Sequence, residues 1–264
     1  MRAPYKVNPG LPTISLRWLP VWRRNFLVWR KLFGPAMLGN FVEPMLYLLA
    51  LGYGLGSFIG PMQGLSYSAF LASGLVCSSA MNTATFEALY SAYTRMSPQQ
   101  TWPGMLATPL AVDDIVLGEL LWAGTKSLFS VAPIVAVAAG LGLVHDLNAL
   151  WVLPIALFAG SCFAALALVV TSYAKSYDFF LYYFTLIITP MFLASGVFFP
   201  LDAMPLTLQH AAQVLPLTHA VELVRPLMTG QPLPNPLPHL AVLLLYGLAG
   251  FYLSCVLLRR RLMA

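Results

Sequence analysis

Apolar residues run along this chain in long blocks, separated by short polar or proline-rich breaks. A block needs about 20 residues to cross the hydrocarbon layer of a bilayer as a helix. Six reach that length, near 35–59, 66–90, 115–142, 151–173, 179–200 and 238–258. The pattern predicts an all-α polytopic membrane protein with six transmembrane helices, forming a single domain over 1–264. The second block is the least uniform, because Ser78, Ser79, Asn82, Thr83 and Thr85 interrupt it. It is kept because leaving it out gives an odd number of spans and scatters the basic residues over both sides.

Ahead of the first block, residues 13–33 read TISLRWLPVWRRNFLVWRKLF. Trp18, Trp22 and Trp29 are mixed with Arg23, Arg24, Arg30 and Lys31. This predicts an N-terminal interfacial amphipathic helix in the cytoplasmic headgroup layer, rings in the interface and cations near phosphates. Pro20 breaks or starts that helix. Residues 1–33 hold no continuous apolar stretch with a small-residue cleavage site, so they do not read as a cleavable signal. Two connections exceed a turn: one at 91–114 on the cytoplasmic side, and one at 199–237 on the outside, rich in proline and apolar for a loop. Within the second, 206–215 and 217–229 are expected as short external re-entrant or surface-lying helices, the re-entrant region running over 199–229.

Composition removes whole classes of function. Of 264 residues, 59% are hydrophobic and only 9% charged, with mean hydropathy +0.77. Soluble domains carry roughly a quarter charged residues. A soluble enzyme, a disordered chain and a nucleic-acid binder are therefore excluded. The net charge of +5 has to be read by position. Twelve of the 14 Lys and Arg residues fall on one side of the six-span arrangement; only Arg225 lies in a connection on the other, and Lys126 is inside a span. That asymmetry places both termini in the cytoplasm.

Candidate chemistry is sparse. There is no GxxxxGK[ST] loop, no HExxH, no GxSxG and no Cys/His zinc spacing. Catalytic, cofactor-binding and metal-binding residues are all expected to be none. Cys77, Cys162 and Cys255 sit apart in apolar stretches and read as small buried hydrophobes. His145, His210, His219 and His239 fall at or near the external side; His219 and Glu222 would share a helical face, too few ligands for a metal. Glu119 and Lys126 lie seven apart, about 10 Å along a helix axis, so either each pairs elsewhere or Lys126 snorkels. An ionisable group in a span is a functional candidate by default. Glu43, beside Pro44, suits a subunit interface, a watery cavity or a buried structural carboxyl. Ser78, Asn82 and Thr85 form one stripe, serving either interhelical hydrogen bonds or a polar lining for a sugar-bearing substrate. Phe179, Phe180, Tyr182, Tyr183 and Phe184 suit either an interfacial belt or a platform for sugar rings. Glu43, Ser78, Asn82, Thr85, Tyr182 and Tyr183 are the candidate conduit.

Three stretches carry a resemblance. Phe86-Glu87-Ala88-Leu89, followed by Met105-Leu106-Ala107-Thr108-Pro109-Leu110 and Ile115-Val116-Leu117-Gly118-Glu119, resembles the ABC-2 type exporter permeases. Ser195-Gly196-Val197-Phe198-Phe199-Pro200-Leu201-Asp202-Ala203-Met204-Pro205 is similar to their segment after the fifth span. Pro216-Leu217-Thr218-His219-Ala220-Val221-Glu222-Leu223-Val224-Arg225 is similar to the one that follows. The likeness covers nearly the whole chain in order, and the Arg/Trp-rich start and Leu38–Gly56 look most like the nodulation branch.

The resemblance implies a homodimer in a bacterial inner membrane, working with two copies of a separate P-loop ATPase. ATP and Mg would sit on that partner, and this chain would hold no cofactor. Membrane lipids and an amphipathic or lipid-linked glycan, a lipo-oligosaccharide in the nodulation branch, would be its other partners, with no nucleic acid. Loop 91–114 would dock on the ATPase through Arg95, Met96, Gln99, Gln100 and Trp102. Phe198, Phe199, Pro200, Glu222 and Arg225 would form an external gate. One departure stands out: Ser97–Trp102 has little charge for a docking segment, so hydrogen bonds and Trp102 would replace ion pairs. The rival readings are a permease for drugs or for polysaccharide such as O-antigen, a membrane-embedded enzyme, and a non-transporting scaffold. An enzyme would need paired acids or histidines at one depth, and the sequence offers scattered single groups.

Overall fold

A computed structural model describes residues 10–233 and 235–263, without the side chains of 35–37, 39–41 and 43. The expectation for Glu43 therefore lies outside the described side chains. The helices are α1 (Trp18–Lys31), α2 (Phe33–Tyr47), α3 (Tyr67–Phe86), α4 (Ala92–Met96), α5 (Thr101–Leu106), α6 (Val112–Gly140), α7 (Val152–Tyr173), α8 (Asp178–Tyr183), α9 (Thr189–Ala194), α10 (Leu206–Ala212), α11 (Pro216–Thr229) and α12 (Pro236–Met263). Wider π-type turns extend α2 over Leu48–Leu55, join α3 to α4 over Glu87–Ser91, and join α8 to α9 over Phe184–Ile188.

Three helices among the described residues are long and apolar enough to cross a membrane: Val112–Gly140, Leu147–Tyr173 and Pro236–Met263. Each coincides with one predicted block. Pro44–Leu55 and Asp178–Ala194 are apolar but shorter. The polar interruptions noted in the second block leave the 20-residue α3 apart from that set. The chain is thus an all-helical membrane protein.

α7 is the hub, packed on α12, α6 and α3. Its seam with α6 is built from small residues, which let backbones approach when lipid offers no hydrophobic drive. A Cβ on Gly124 would lie 2.2 Å from Ser161 Oγ, so that hydroxyl would have to turn away, and one on Gly160 would lie 2.2 Å from Ser127 Oγ and 2.8 Å from Ser127 Cβ, so the helices would have to shift there. Ser127 Oγ sits in the seam, its single O–H shared between Gly124 O (2.6 Å) and Ala156 O (3.0 Å). All three cysteines are buried and free.

α1 begins at Trp18, with Pro20 in its first turn, where no intrahelical N–H is needed. Two of its three tryptophans, Trp22 and Trp29, pack inward against α6. Trp29 stacks on Phe129 (4.5 Å between centroids) and meets Trp122 edge-on (5.9 Å). Trp22 Nε1 donates to Thr125 Oγ1 (3.0 Å). The sequence shows the amphipathicity of this helix but not that α6 takes part of its aromatic face.

Two acids open α6. Asp113 Oδ2 accepts from Thr13 N (2.8 Å) and Thr13 Oγ1 (3.1 Å), and Asp113 Oδ1 accepts from Arg259 Nε (2.7 Å), with a further ion pair to Arg259. Asp114 Oδ1 accepts from Ser15 Oγ (2.6 Å), and its Oδ2 from Ala111 N (2.9 Å). The segment before α1 and the last turns of α12 thereby meet at one helix start, where acidic residues are favoured.

Candidate functional site

The end of the bundle that carries Arg95, Arg259, Arg260 and Arg261, here the basic end, contains a buried charge cluster. α6 presents Glu119, Trp122 and Lys126 at i, i+3 and i+7, one face of a helix. The wide turn after α3 supplies Glu87, and α4 supplies Arg95 eight residues later. Arg95 Nε donates to Glu119 Oε1 (2.9 Å), and its terminal nitrogen donates to Glu87 Oε1 (2.9 Å) and pairs with Glu119 Oε2. Lys126 Nζ reaches Glu87 Oε2 at 2.8 Å. Trp122 Nε1 donates to Glu87 (2.9 Å) and Trp102 Nε1 to Glu119 (3.1 Å). Two carboxylates meet two cations, and two indoles fill remaining acceptor sites. Buried ions are tolerated only in such balance. Burial alone would lower the Arg95 pKa; Glu119 and then Glu87 outweigh it and hold the guanidinium above its ordinary value. Glu119 and Lys126 do each pair elsewhere. They are connected through Arg95, bound to Glu119, and Glu87, bound to both Arg95 and Lys126; sequence reasoning used Glu87 only as part of a family stretch.

This cluster changes the reading of the 91–114 connection. Most of it is helical, as α4 and α5. Trp102 and Met96 are buried, and Arg95 is turned inward to the cluster. A direct contact to another protein through these three would need exposed side chains. Gln99 and Gln100 are exposed, with Gln100 at φ +53 opening α5.

A cavity of 980 Å³ runs along α3 between α2 and the α8–α9 segment. Ser78, Ser79, Asn82, Thr83 and Lys126 give it a polar side, while Tyr47, Phe86, Tyr90, Phe184, Phe192, Phe198 and Phe199 give it aromatic walls. Of the candidate conduit residues, Ser78 and Asn82 line it. Thr85 does not; it is fully buried and its hydroxyl finds no partner. Tyr182 is not among the residues that line it and is 65% exposed, and Tyr183 packs against the core. A stripe of three polar residues was legible in sequence, but α3's rotation against α7 was not. A second cavity of 370 Å³ lies at the basic end and shares Tyr90, Ser91 and Lys126 with the first.

At the opposite end, the candidate gate residues separate. Phe198 and Phe199 line the large cavity, and Phe198 meets Phe192 (4.8 Å) and Tyr47 (6.4 Å). Pro200 precedes the short turn Leu201–Ala203. Glu222 is half-buried on α11. Arg225 is buried and works as a tie: Nε donates to Ser73 Oγ (3.0 Å), a terminal nitrogen donates to Gly196 O (2.7 Å), and the guanidinium lies 3.6 Å over the Phe70 ring. Among the described residues it forms no ion pair, and it does not reach the cavity. Its tie holds the 195–199 turn against α3, where a Cβ on Gly74 would sit 2.7 Å from Val197 O. His219 pairs with His239 (2.9 Å) rather than with Glu222.

No group of three or more metal-ligating side chains occurs among the described residues. What the geometry offers is a polar-aromatic cavity in a helical membrane bundle. The ABC-2 type transporter profile matches residues 18–229. The chain is 48% identical to nodulation protein J of Rhizobium leguminosarum bv. trifolii over 96% of this chain and 97% of that protein. It is 45% identical to nodulation protein J of Rhizobium meliloti (strain 1021), with the same coverage. It is 24% identical to the inner membrane transport permease YadH of Escherichia coli (strain K12), over 76% of this chain and 78% of that one. This chain therefore belongs to the ABC-2 type transporter family, as a membrane-embedded transport permease.

Proposed function

We propose that this chain is the permease subunit of an ATP-driven exporter that moves an acylated oligosaccharide, of the lipo-oligosaccharide class, outward across a bacterial inner membrane. The observation that carries the reading is the 980 Å³ cavity, polar on the α3 side and aromatic on the other. A sugar needs hydroxyl and amide partners together with ring faces, and an acyl chain needs an apolar wall; this cavity offers both. The names of the nodulation protein J relatives add support for a nodulation-related glycolipid rather than a drug or O-antigen polysaccharide.

In this reading six helical segments span the membrane, the basic end faces the cytoplasm with both termini, and α10 and α11 lie at the outer leaflet as re-entrant caps. Phe198 and Phe199 form the outer constriction. Two copies of the chain work with two copies of a P-loop ATPase. Gln99 and Gln100 meet that partner, and Arg95, Met96 and Trp102 stiffen their loop from inside. Closure of the ATPase dimer pushes on α4 and α5, and the Glu87–Glu119 cluster carries the push into α3 and α6. The switch is a two-state element biased by nucleotide.

The test is ATP-dependent uptake of a radiolabelled lipo-oligosaccharide into inside-out vesicles that hold this chain and its ATPase. Uptake should require ATP and should fall when Asn82→Leu or Ser78→Leu closes the polar side. Vesicles that hydrolyse ATP at a normal rate but accumulate no lipo-oligosaccharide would overturn the substrate. A chain that purifies from its native membrane with no ATPase at all would overturn the exporter.

A further inference from the structure

The 370 Å³ cavity at the basic end lies under α1 and is bounded by Arg24, Asn25 and Trp29 of α1, by Glu87 and Arg95, and by Lys126 of α6. Its hydrogen-bonding balance is one-sided. Asn25 is 3% exposed, and its carbonyl oxygen accepts from Arg24 at 3.1 Å. That bond fixes the amide orientation and leaves Nδ2 as a buried donor with no acceptor. Trp29, 8% exposed, also keeps its indole N–H without an acceptor. Native interiors rarely leave such groups idle. Among the buried atoms of residues that line this cavity, only donors are unpaired.

The charge balance points the same way. Arg95 and Lys126 are matched by Glu119 and Glu87. Arg24 forms no ion pair among the described residues, so the lining, counted together with Glu119 behind it, carries one cation in excess. Burial and then the nearby Arg95 lower the Arg24 pKa, against a smaller opposing effect of Glu119. One excess positive charge and two idle N–H donors suit a monoanion with several acceptor oxygens. A neutral sugar would bring donors of its own. Val28 borders this cavity and also the neighbouring groove on the outer face of α1, where Leu27 and Val28 are 43% and 51% exposed. An acyl chain has apolar ground there.

The geometry points to a phosphodiester site: the pocket under α1 binds the headgroup phosphate of an anionic phospholipid through Arg24, Asn25 Nδ2 and Trp29 Nε1–H. This holds α1 against α6 and does not depend on the export reading. The test uses the purified full-length chain in mild detergent, titrated with phosphatidylglycerol, with phosphatidylcholine, or with inorganic phosphate. Thermal unfolding and native mass spectrometry of retained lipid are the readouts. Phosphatidylglycerol should raise the midpoint and stay bound; phosphatidylcholine carries the same phosphodiester, but its trimethylammonium group would meet the excess cation, and it should do neither. Arg24→Gln, Asn25→Ala and Trp29→Phe should each weaken the titration roughly tenfold, the usual scale of a lost charge-assisted hydrogen bond. Trp29→Phe keeps the ring against Phe129, so its loss of binding is not a folding failure. Arg30→Gln, exposed on the same helix and bordering neither this cavity nor the groove, should change nothing. Equal responses to the two lipids, or an Arg30→Gln effect as large as that of Arg24→Gln, would overturn the site. A full response to inorganic phosphate, with the same variant pattern, would keep the phosphate site and overturn the lipid as its source. No ATPase or transported glycan enters the assay, so failure here leaves the export reading untouched.

Discussion

Arg95 and Arg225 are both inward-turned guanidinium groups, and they are stabilised in opposite ways. Arg95 lies between two carboxylates, with Lys126 and two indoles completing a neutral cluster. Arg225 has a hydroxyl, a carbonyl and the face of Phe70. The first arrangement is a network of formal charges in which each member is needed to neutralise another. The second is a single charge held by dipoles and a ring, and its neighbours are neutral without it. Removing one member of the network strands a buried charge, whereas removing Arg225 strands only polar groups. The basic end should therefore be the more brittle of the two.

The largest effect is expected for Glu119→Gln, which leaves Arg95 with Glu87 as its single ionic partner. It should cost about 3 kcal/mol or more in denaturant unfolding of the detergent-solubilised chain. The double variant Arg95→Gln/Glu119→Gln should cost less than Glu119→Gln alone, because no guanidinium then remains to be compensated. Next comes Arg225→Met, at about 2 kcal/mol for the lost tie and ring contact, with Arg225→Lys recovering part of it. A larger cost for Arg225→Met than for Glu119→Gln would break the comparison outright. Trp122→Phe keeps the ring packing and removes one donor to Glu87, so it should cost about 1.5 kcal/mol. The smallest stability change, within about 0.5 kcal/mol, belongs to Gln99→Ala on the exposed turn. That variant should instead uncouple ATP hydrolysis from transport in the assembled complex; unchanged coupling would remove Gln99 from the docking surface.

The helices were legible where a run of apolar residues speaks for itself. α6, α7 and α12 coincide with predicted blocks, and α10 and α11 fall inside the stretches expected to be helical. Pairing was not legible. Glu119 and Lys126 are too far apart to bridge, which the structure bears out, but their partners are Arg95 on α4, 24 residues from Glu119, and Glu87 on the preceding turn, 39 residues from Lys126. Nothing in a single sequence marks Glu87 as the group that serves both Arg95 and Lys126. Trp102 shows the same limit at shorter range. It sits in a six-residue helix, too short for a periodicity that would say which face is covered. Ser78 and Asn82 reached the cavity and Thr85 did not, because one stripe on α3 is divided between a cavity and a packed neighbour.

Asp113 has a consequence for the order in which this protein is put together. Its carboxylate takes Thr13 from 100 residues upstream and Arg259 from 146 residues downstream. While the chain is being made, the first of these contacts can form long before the second exists. The carboxylate then waits, half-clasped, until α12 has entered and turned its last arginines toward α6. Contacts with such long sequence separation close late and slowly. A pulse-chase experiment in which proteolysis probes the segment before α1 should therefore show two stages of protection. The second stage should be absent from Arg259→Gln, whose early stage should be indistinguishable from that of the unaltered chain.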